Sequence, residues 1–166
     1  MRKVKKYTVI PLFNKDGSKV LLIKKDRTAF AGKLNGVGGK IEDNETPEQG
    51  AYREIEEETS LKPEQVKNLT WLGTLTLPEQ CDTDNAGLYP ELWFYSGIVE
   101  DESWAHTPKN ETEPVAWYIL NENDGVITHL ELAGDGNLDY FIRRARRLLF
   151  NGAAVSYDFV DEYLDE

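Results

Sequence analysis

Three glutamates near the middle of the chain have the spacing of a single chemical site. Glu54, Glu57 and Glu58 are related as i, i+3 and i+4, so on a helix they project from one face within a sector about 100° wide. A like-charge i, i+4 pair in the second half of a helix is unfavourable without a counter-ion. A divalent cation removes that penalty; Mg²⁺ suits carboxylate oxygens best, and Mn²⁺ is an alternative. The pattern predicts a metal site that binds phosphate groups, against the simpler interpretation of an exposed glutamate-rich face.

A helix over about residues 47–59 must present these carboxylates. Thr46 is a favourable N-cap, Pro47 a favourable first helical residue, and Gln49 completes a capping box with Thr46. The side chains that can anchor the helix on a sheet occupy the neighbouring sector: Ala51, Tyr52 and Ile55. The carboxylates are therefore expected at the rim of the core.

Residues 38–61 read GGKIEDNETPEQGAYREIEEETSL, and this segment resembles the signature of the Nudix hydrolases. That signature is a glycine, five residues, a glutamate, seven residues, and then Arg-Glu-apolar-any-Glu-Glu-any-Gly-apolar. Gly39, Glu45 and the run that begins at Arg53 match every position except Ser60, where the family has glycine. Glycine there ends the helix in a left-handed conformation, so Ser60 is expected to cost about 1 kcal/mol in that turn.

The resemblance implies roles for residues in and around the motif. Arg53 would pair with Glu45 and brace the preceding loop, and Lys40 would face substrate phosphates. The implied metal ligands are the carbonyl of Gly38 and the carboxylates of Glu54, Glu57 and Glu58.

The same resemblance implies a general base among the glutamates. Glu54 or Glu57 would accept the proton of the attacking water, and the sequence does not choose between them. A further loop glutamate often serves in this family, as base or metal ligand. Glu111 and Glu113, shortly before Trp117, are the candidates for that role, with simple solvation as the alternative.

Family enzymes hydrolyse a nucleoside diphosphate linked to another group. Residues 31–40, AGKLNGVGGK, resemble the corresponding segment of oxidised-purine nucleoside triphosphatases, which puts Asn35 at a base-reading position. Asp135 lies roughly where that branch has base-contacting aspartates, although it suits a turn before the last helix equally well. The resemblance therefore favours a hydrolase that cleaves nucleoside triphosphates, 8-oxo-dGTP among them, to a monophosphate and pyrophosphate.

Two other interpretations stay open. In the first, the substrate is ADP-ribose, a dinucleoside polyphosphate or the 5′ end of RNA. Pro78 lies two residues beyond the position where ADP-ribose enzymes of this family carry a proline, so it is weak support for ADP-ribose. Alternatively, the chain is a nucleotide-sensing module on the same fold, which binds without turnover. Such modules typically lose the carboxylates that this chain keeps.

Composition bounds the partners. With 19 Lys and Arg against 30 Asp and Glu, the net charge is −11, so the average surface repels nucleic acid and anionic lipid. A small nucleotide is therefore the expected partner. Nucleic acid is not expected to bind, except for the 5′ end of an RNA. The oligomeric state stays open. The apolar run at residues 7–13 is too short for a signal peptide. A single cysteine, Cys81, cannot form an internal disulfide and favours a cytoplasmic location.

The order of elements predicts the fold class. We expect one domain over residues 1–166, with an α/β (α+β) fold in which a mixed β-sheet is sandwiched between α-helices. Strands are predicted at residues 4–13, 19–24, 69–77, 92–99 and 115–120, and a second helix at residues 138–150. The first two strands should form a hairpin around the Asp16-Gly17 pair. Four arginines on the second helix are expected to form a solvated face: Arg143, Arg144, Arg146 and Arg147.

Overall fold

A computed structural model describes residues 3–27, 30–78 and 87–150, so Cys81 lies outside the described residues. The strands are β1 Lys3–Val9, β2 Leu12–Asn14, β3 Lys19–Lys24, β4 Leu34–Asn35, β5 Lys67–Thr76, β6 Leu88–Val99 and β7 Val115–Ile119. The helices are α1 Pro47–Thr59 and α2 Asn137–Phe150, with short 3₁₀ turns at Pro63–Gln65 and Glu102–Trp104.

The strands form one mixed sheet. Its order is β1-β6-β2-β3-β4, with β5 paired to β6 and β7 paired to β3. β1 and β2 run parallel to β6, and the other pairs are antiparallel. The predicted mixed sheet is confirmed.

The predicted first hairpin is only half correct. β2 and β3 form an antiparallel hairpin whose turn contains Gly17 at a φ of +75°, with the Gly17 N–H donating to the Asn14 carbonyl. β1, however, pairs with β6 in parallel and not with β3. The predicted strand at residues 4–13 divides at Pro11, because proline has no N–H to donate to a ladder.

The two helices cover opposite faces of the sheet. Alternate residues of β3 point to different cores: Val20 and Leu22 pack with α2, whereas Leu21 and Ile23 pack with α1. On the α2 side the ring of Phe141 stacks on Phe94, with centroids 3.8 Å apart. The sheet is therefore a layer between helices, as predicted, and the glutamate-bearing helix rests on its own core.

The expectation of a solvated arginine face on α2 is wrong for Arg144. This side chain is buried and its Nε donates to the Leu72 carbonyl of β5 at 2.9 Å. Arg146 donates to the Gly17 carbonyl at 2.8 Å. These arginines fasten α2 to the sheet, because a guanidinium can satisfy backbone carbonyls while its aliphatic stem packs. Within the described ranges, no helix is long and apolar enough to cross a membrane.

Candidate active site

The caps of α1 fix the direction in which its glutamates point. The Thr46 hydroxyl accepts the Gln49 N–H at 3.1 Å, and the Gln49 side chain accepts the Thr46 N–H at 2.9 Å, so the predicted capping box is confirmed. At the other end Ser60 adopts the left-handed conformation, with a φ of 68°, and its N–H donates to the backbone carbonyl of Glu56 at 3.0 Å. The serine therefore keeps the turn that the family makes with glycine.

Arg53 connects the motif's carboxylates. Its Nε and Nη2 donate to the two oxygens of Glu45 at 3.0 and 2.5 Å, which confirms the predicted pair. Its Nη1 donates to Glu54 at 2.8 Å and lies 3.3 Å from Glu57, and Nη2 also donates to the Lys40 carbonyl at 2.9 Å. The hydrogen bonds from Arg53 lower the pKa of Glu45. Arg53 thus ties the loop at residues 40–45 to the helix.

Two glycines let the backbone approach the glutamates closely. The Gly38 N–H donates to Glu58 at 2.6 Å. At a φ of +147°, a Cβ on Gly38 would lie 2.1 Å from the Thr8 carbonyl oxygen, and one on Gly39 would lie 2.6 Å from Glu54. A side chain on Gly38 would push this segment away from β1, whereas one on Gly39 would displace the Glu54 carboxylate. Gly38 is therefore required both by its contact with β1 and by its conformation.

The carboxylates of the helix differ in their electrostatic environment. Burial raises the pKa of Glu58 to about 7, against the opposing hydrogen bond from Gly38. Burial also raises the pKa of Glu54, although Arg53 opposes the shift. Glu57 is half exposed. Buried carboxylates whose pKa is raised by desolvation are suited to binding a cation, because the cation stabilises their ionised form.

The donor set fits a hard divalent ion, since its members are carboxylate oxygens next to a backbone carbonyl. In the described part of the chain, no three His, Cys, Asp or Glu side chains are already arranged to hold a metal. Glu54 and Glu57 turn towards Arg53, and Glu58 turns towards the Gly38 N–H. The predicted ligands are brought together on one rim of α1, and their ligation of a metal stays a prediction.

The two loop glutamates occupy different environments. Glu113 is 2% exposed, and its carboxylate accepts hydrogen bonds from Lys25 Nζ and from the Asp26 N–H, both at 2.9 Å. Burial raises the pKa of Glu113, but these hydrogen bonds outweigh it and the net pKa is lowered. Its charge also contributes to the raised pKa of Glu58, after burial and the charge of Glu54. Glu111 lines a cavity that also contains Glu57.

The base-reading candidates lie at one end of the sheet. The backbone of residues 131–133 hydrogen-bonds with Leu34, which brings the Asp135 turn alongside β4 and Asn35. The Asn35 side-chain oxygen accepts the Gly36 N–H at 2.8 Å. Asp135 is exposed at a φ of 50° in the turn before α2, so the turn interpretation also holds for it. Lys40 is exposed on the loop that Arg53 braces.

Sequence reasoning missed the cavity that flanks the outer side of α1. It measures about 920 Å³ and lies between α1, the turn that follows it and the loop near residue 110. Two polar residues of its wall, Lys62 and Asn110, belong to no motif and are far apart in sequence. Only the fold brings them to the same cavity. Arg53, Glu57 and Ser60 also line it, which makes the cavity continuous with the rim of carboxylates.

Comparison with known proteins gives one family. The model of the NUDIX domain matches residues 3–141. An ADP-ribose pyrophosphatase of Methanocaldococcus jannaschii is 35% identical over 119 residues, which cover 68% of this chain and 67% of that protein. The 8-oxo-dGTP diphosphatase of Escherichia coli is 34% identical over 92 residues, which cover 55% of this chain and 61% of that protein.

Solved structures share the fold at low identity. The MutT protein of Bacillus halodurans has a TM-score of 0.61 and 20% identity, over 86% of this chain and 82% of that one. The NUDIX domain of Shewanella oneidensis NrtR, in complex with ADP ribose, has a TM-score of 0.63 and 21% identity, over 90% and 89%. At such identity the likeness concerns the fold alone.

Proposed function

The chain belongs to the Nudix hydrolase family, and we propose that it is a divalent-cation-dependent pyrophosphohydrolase that cleaves nucleoside triphosphates to a monophosphate and pyrophosphate. The observation that carries the proposal is the rim of α1, where Glu54 and Glu58 are desolvated against the glycine backbone and Arg53 holds the neighbouring acids. Carboxylates in that arrangement are suited to binding a cation and contribute little to the stability of the fold.

Within this proposal each residue has a defined task. The ion, Mg²⁺ or Mn²⁺, would be held by the Gly38 carbonyl and by Glu54, Glu57 and Glu58. When bound, it supplies Lewis-acid polarisation of the phosphate and a water of lowered pKa. Glu54 or Glu57 accepts the proton of the attacking water, and Arg53 keeps both in place through contacts of 2.8 and 3.3 Å.

The substrate's base is proposed to lie against Asn35 and Asp135. An amide donates and accepts hydrogen bonds at once, which suits the edge of a purine, and an oxidised purine such as that of 8-oxo-dGTP offers an altered edge. Lys40, exposed beside the braced loop, is placed to meet phosphate oxygens. The similarity to the 8-oxo-dGTP diphosphatase of Escherichia coli supports this assignment.

ADP-ribose is the second candidate substrate. It is favoured by the ADP-ribose pyrophosphatase of Methanocaldococcus jannaschii, which is similar over a larger share of this chain. The two candidates give different products: a triphosphatase releases pyrophosphate, whereas an ADP-ribose hydrolase releases AMP and ribose 5-phosphate.

Product analysis with Mg²⁺ tests the proposal. The panel contains ordinary and oxidised dNTPs, ADP-ribose, dinucleoside polyphosphates and triphosphorylated RNA. Glu57→Gln should lower kcat by about a hundred-fold or more on the preferred substrate, because it removes a carboxylate from the reaction centre. The matched control is Glu48→Gln, an exposed acid in the first turn of the same helix, which should leave kcat unchanged.

Two outcomes would contradict the proposal. Equal kcat for Glu57→Gln and the wild-type protein would remove the carboxylate from the reaction. Nucleotide binding without turnover of any panel member would indicate the nucleotide-sensing module instead.

A further inference from the structure

The carboxylates of α1 lie between the segment that contains Asn35 and the cavity beside the helix. Asn35 lies shortly before Gly38, whose N–H contacts Glu58. Farther round the helix Arg53 contacts Glu57, and Glu57 lines the cavity. The carboxylates therefore separate the base-reading candidates from the cavity. A substrate whose base lay near Asn35 and whose scissile anhydride lay at the carboxylates would have the part beyond that anhydride on the cavity side.

The cavity is large enough to receive such a group. Its volume of about 920 Å³ lies within the range of about 300–1,000 Å³ that is typical of small-molecule sites. A pyrophosphate or a sugar phosphate fits with its bound waters. Its walls combine Tyr52 and Pro63 with charged and polar side chains, which is the mixture expected of a site for a hydrated, charged ligand.

Lys62 is the cation of this cavity that can change partner. Arg53 is held by hydrogen bonds to Glu45 and Glu54. Lys62 instead lies 3.3 Å from Glu56, with both side chains about half exposed, at 59% and 47%. An exposed ion pair of this kind is weak, so an anion can recruit Lys62 at little cost.

Neutral donors line the same cavity. Ser60 donates to the His106 carbonyl across a long 3.4 Å contact, which a better acceptor can replace. Asn110 contributes an amide to the facing wall. Three acids also line the cavity: Glu56, which pairs with Lys62, Glu57, which pairs with Arg53, and Glu111.

We propose that this cavity is a subsite for the terminal phosphate on the side of the scissile anhydride away from the base, with Lys62 as its cation and Ser60 and Asn110 as neutral donors. The inference rests on the proposed function. The phosphate belongs either to inorganic pyrophosphate or to a sugar phosphate such as ribose 5-phosphate; both present the same terminal dianion.

Steady-state kinetics and direct binding test the subsite on the full chain with Mg²⁺. Lys62→Ala should raise KM for the preferred substrate about ten-fold, and more than it lowers kcat, because one charge-assisted hydrogen bond is lost. Lys62→Arg should restore most of the affinity. The matched control is Lys67→Ala, since Lys67 is also 59% exposed and also pairs with a single acid, Glu100, but does not line the cavity.

Calorimetric titration with inorganic pyrophosphate and with ribose 5-phosphate identifies the source of the phosphate. Weaker binding of one of them to Lys62→Ala, but not to Lys67→Ala, supports the subsite and identifies the group that occupies it. Identical binding and identical KM in Lys62→Ala and the wild-type protein would overturn it, even if the enzyme is active. Loss of phosphate binding in Lys62→Ala, with no turnover by the wild-type protein, would leave the subsite and reject the proposed function.

Discussion

Arg53 is the residue on which the geometry of the site depends. Glu45 holds its guanidinium with two short hydrogen bonds, so the group cannot move far. Its contact with Glu57 is longer, at 3.3 Å, and that carboxylate is half exposed. Glu57 is therefore the acid that can turn from Arg53 to a cation at least cost. Such an arrangement keeps the acids together before the metal arrives without competing strongly with it.

The sequence predicted the pair of Arg53 and Glu45, but it could not predict the contacts of Glu113. Arg53 and Glu45 lie within one continuous motif, and the structure confirms their contact. The partners of Glu113, Lys25 and the Asp26 N–H, belong to the segment just after β3, which is distant in sequence. Only the folded sheet shows that this acid is buried and paired.

Glu113→Gln should destabilise the protein at neutral pH by about 2 kcal/mol, because Lys25 loses its partner in a largely buried position. The folded-state pKa of Glu113 is lowered from 4.5, so the stability that the ionised group contributes is present above 4.5 and is lost as the pH falls through the lowered value. Urea denaturation of the wild-type protein and the variant across this acid range measures the difference, which should shrink towards zero at the lowest pH.

The opposite result would assign Glu113 a catalytic role. If Glu113→Gln keeps the stability of the wild-type protein but loses turnover, the carboxylate acts in the reaction and not in the ion pair. Lys25→Met distinguishes the two cases further, since it should reproduce the loss of stability only if the pair is structural.

At the scale of elements, helix α1 is defined by local signals at both ends. Its start at Pro47 and its end at Thr59 agree with the sequence prediction, because the capping box and the closing turn involve only residues near each end. The strands were predicted less well: β6 begins at Leu88, before the predicted residue 92, since its first residues pair with β1. Pairing between distant segments leaves no local signal in the sequence.

Ser60→Gly should stabilise the protein by about 0.5–1 kcal/mol, which corresponds to about 1–4 °C in Tm for a chain of this size. A serine at a φ of 68° pays a steric cost that glycine avoids, and the greater freedom of glycine in the unfolded chain offsets part of the gain. Thermal unfolding followed by circular dichroism measures it. Asn68→Gly, at a φ of 54°, is the control and should gain less, because asparagine tolerates this conformation better. A lower Tm for Ser60→Gly would show that the serine hydroxyl stabilises the turn.

At the scale of the molecule, one sheet separates two hydrophobic cores that have different roles. The α1 core supports the carboxylate rim, whereas the α2 core contains the stacked pair Phe94 and Phe141 and the buried Arg144. The sequence predicted the apolar stripe of α2 from its spacing. It could not predict that Arg144 would be buried, because the carbonyl that accepts its hydrogen bond belongs to β5.

This division predicts that damage to the two cores has different consequences. Phe141→Ala should lower the free energy of unfolding by about 3–5 kcal/mol, through lost apolar contact and a residual cavity, while the folded fraction keeps its kcat. Ile55→Ala, at a fully buried position on the inner face of α1, should cost about 2–5 kcal/mol and also lower kcat, because the carboxylates shift with their helix. Urea denaturation and kinetics at a temperature where both variants are folded measure the two effects. An equal loss of kcat in both variants would show that the sheet transmits distortion from the α2 core to the site.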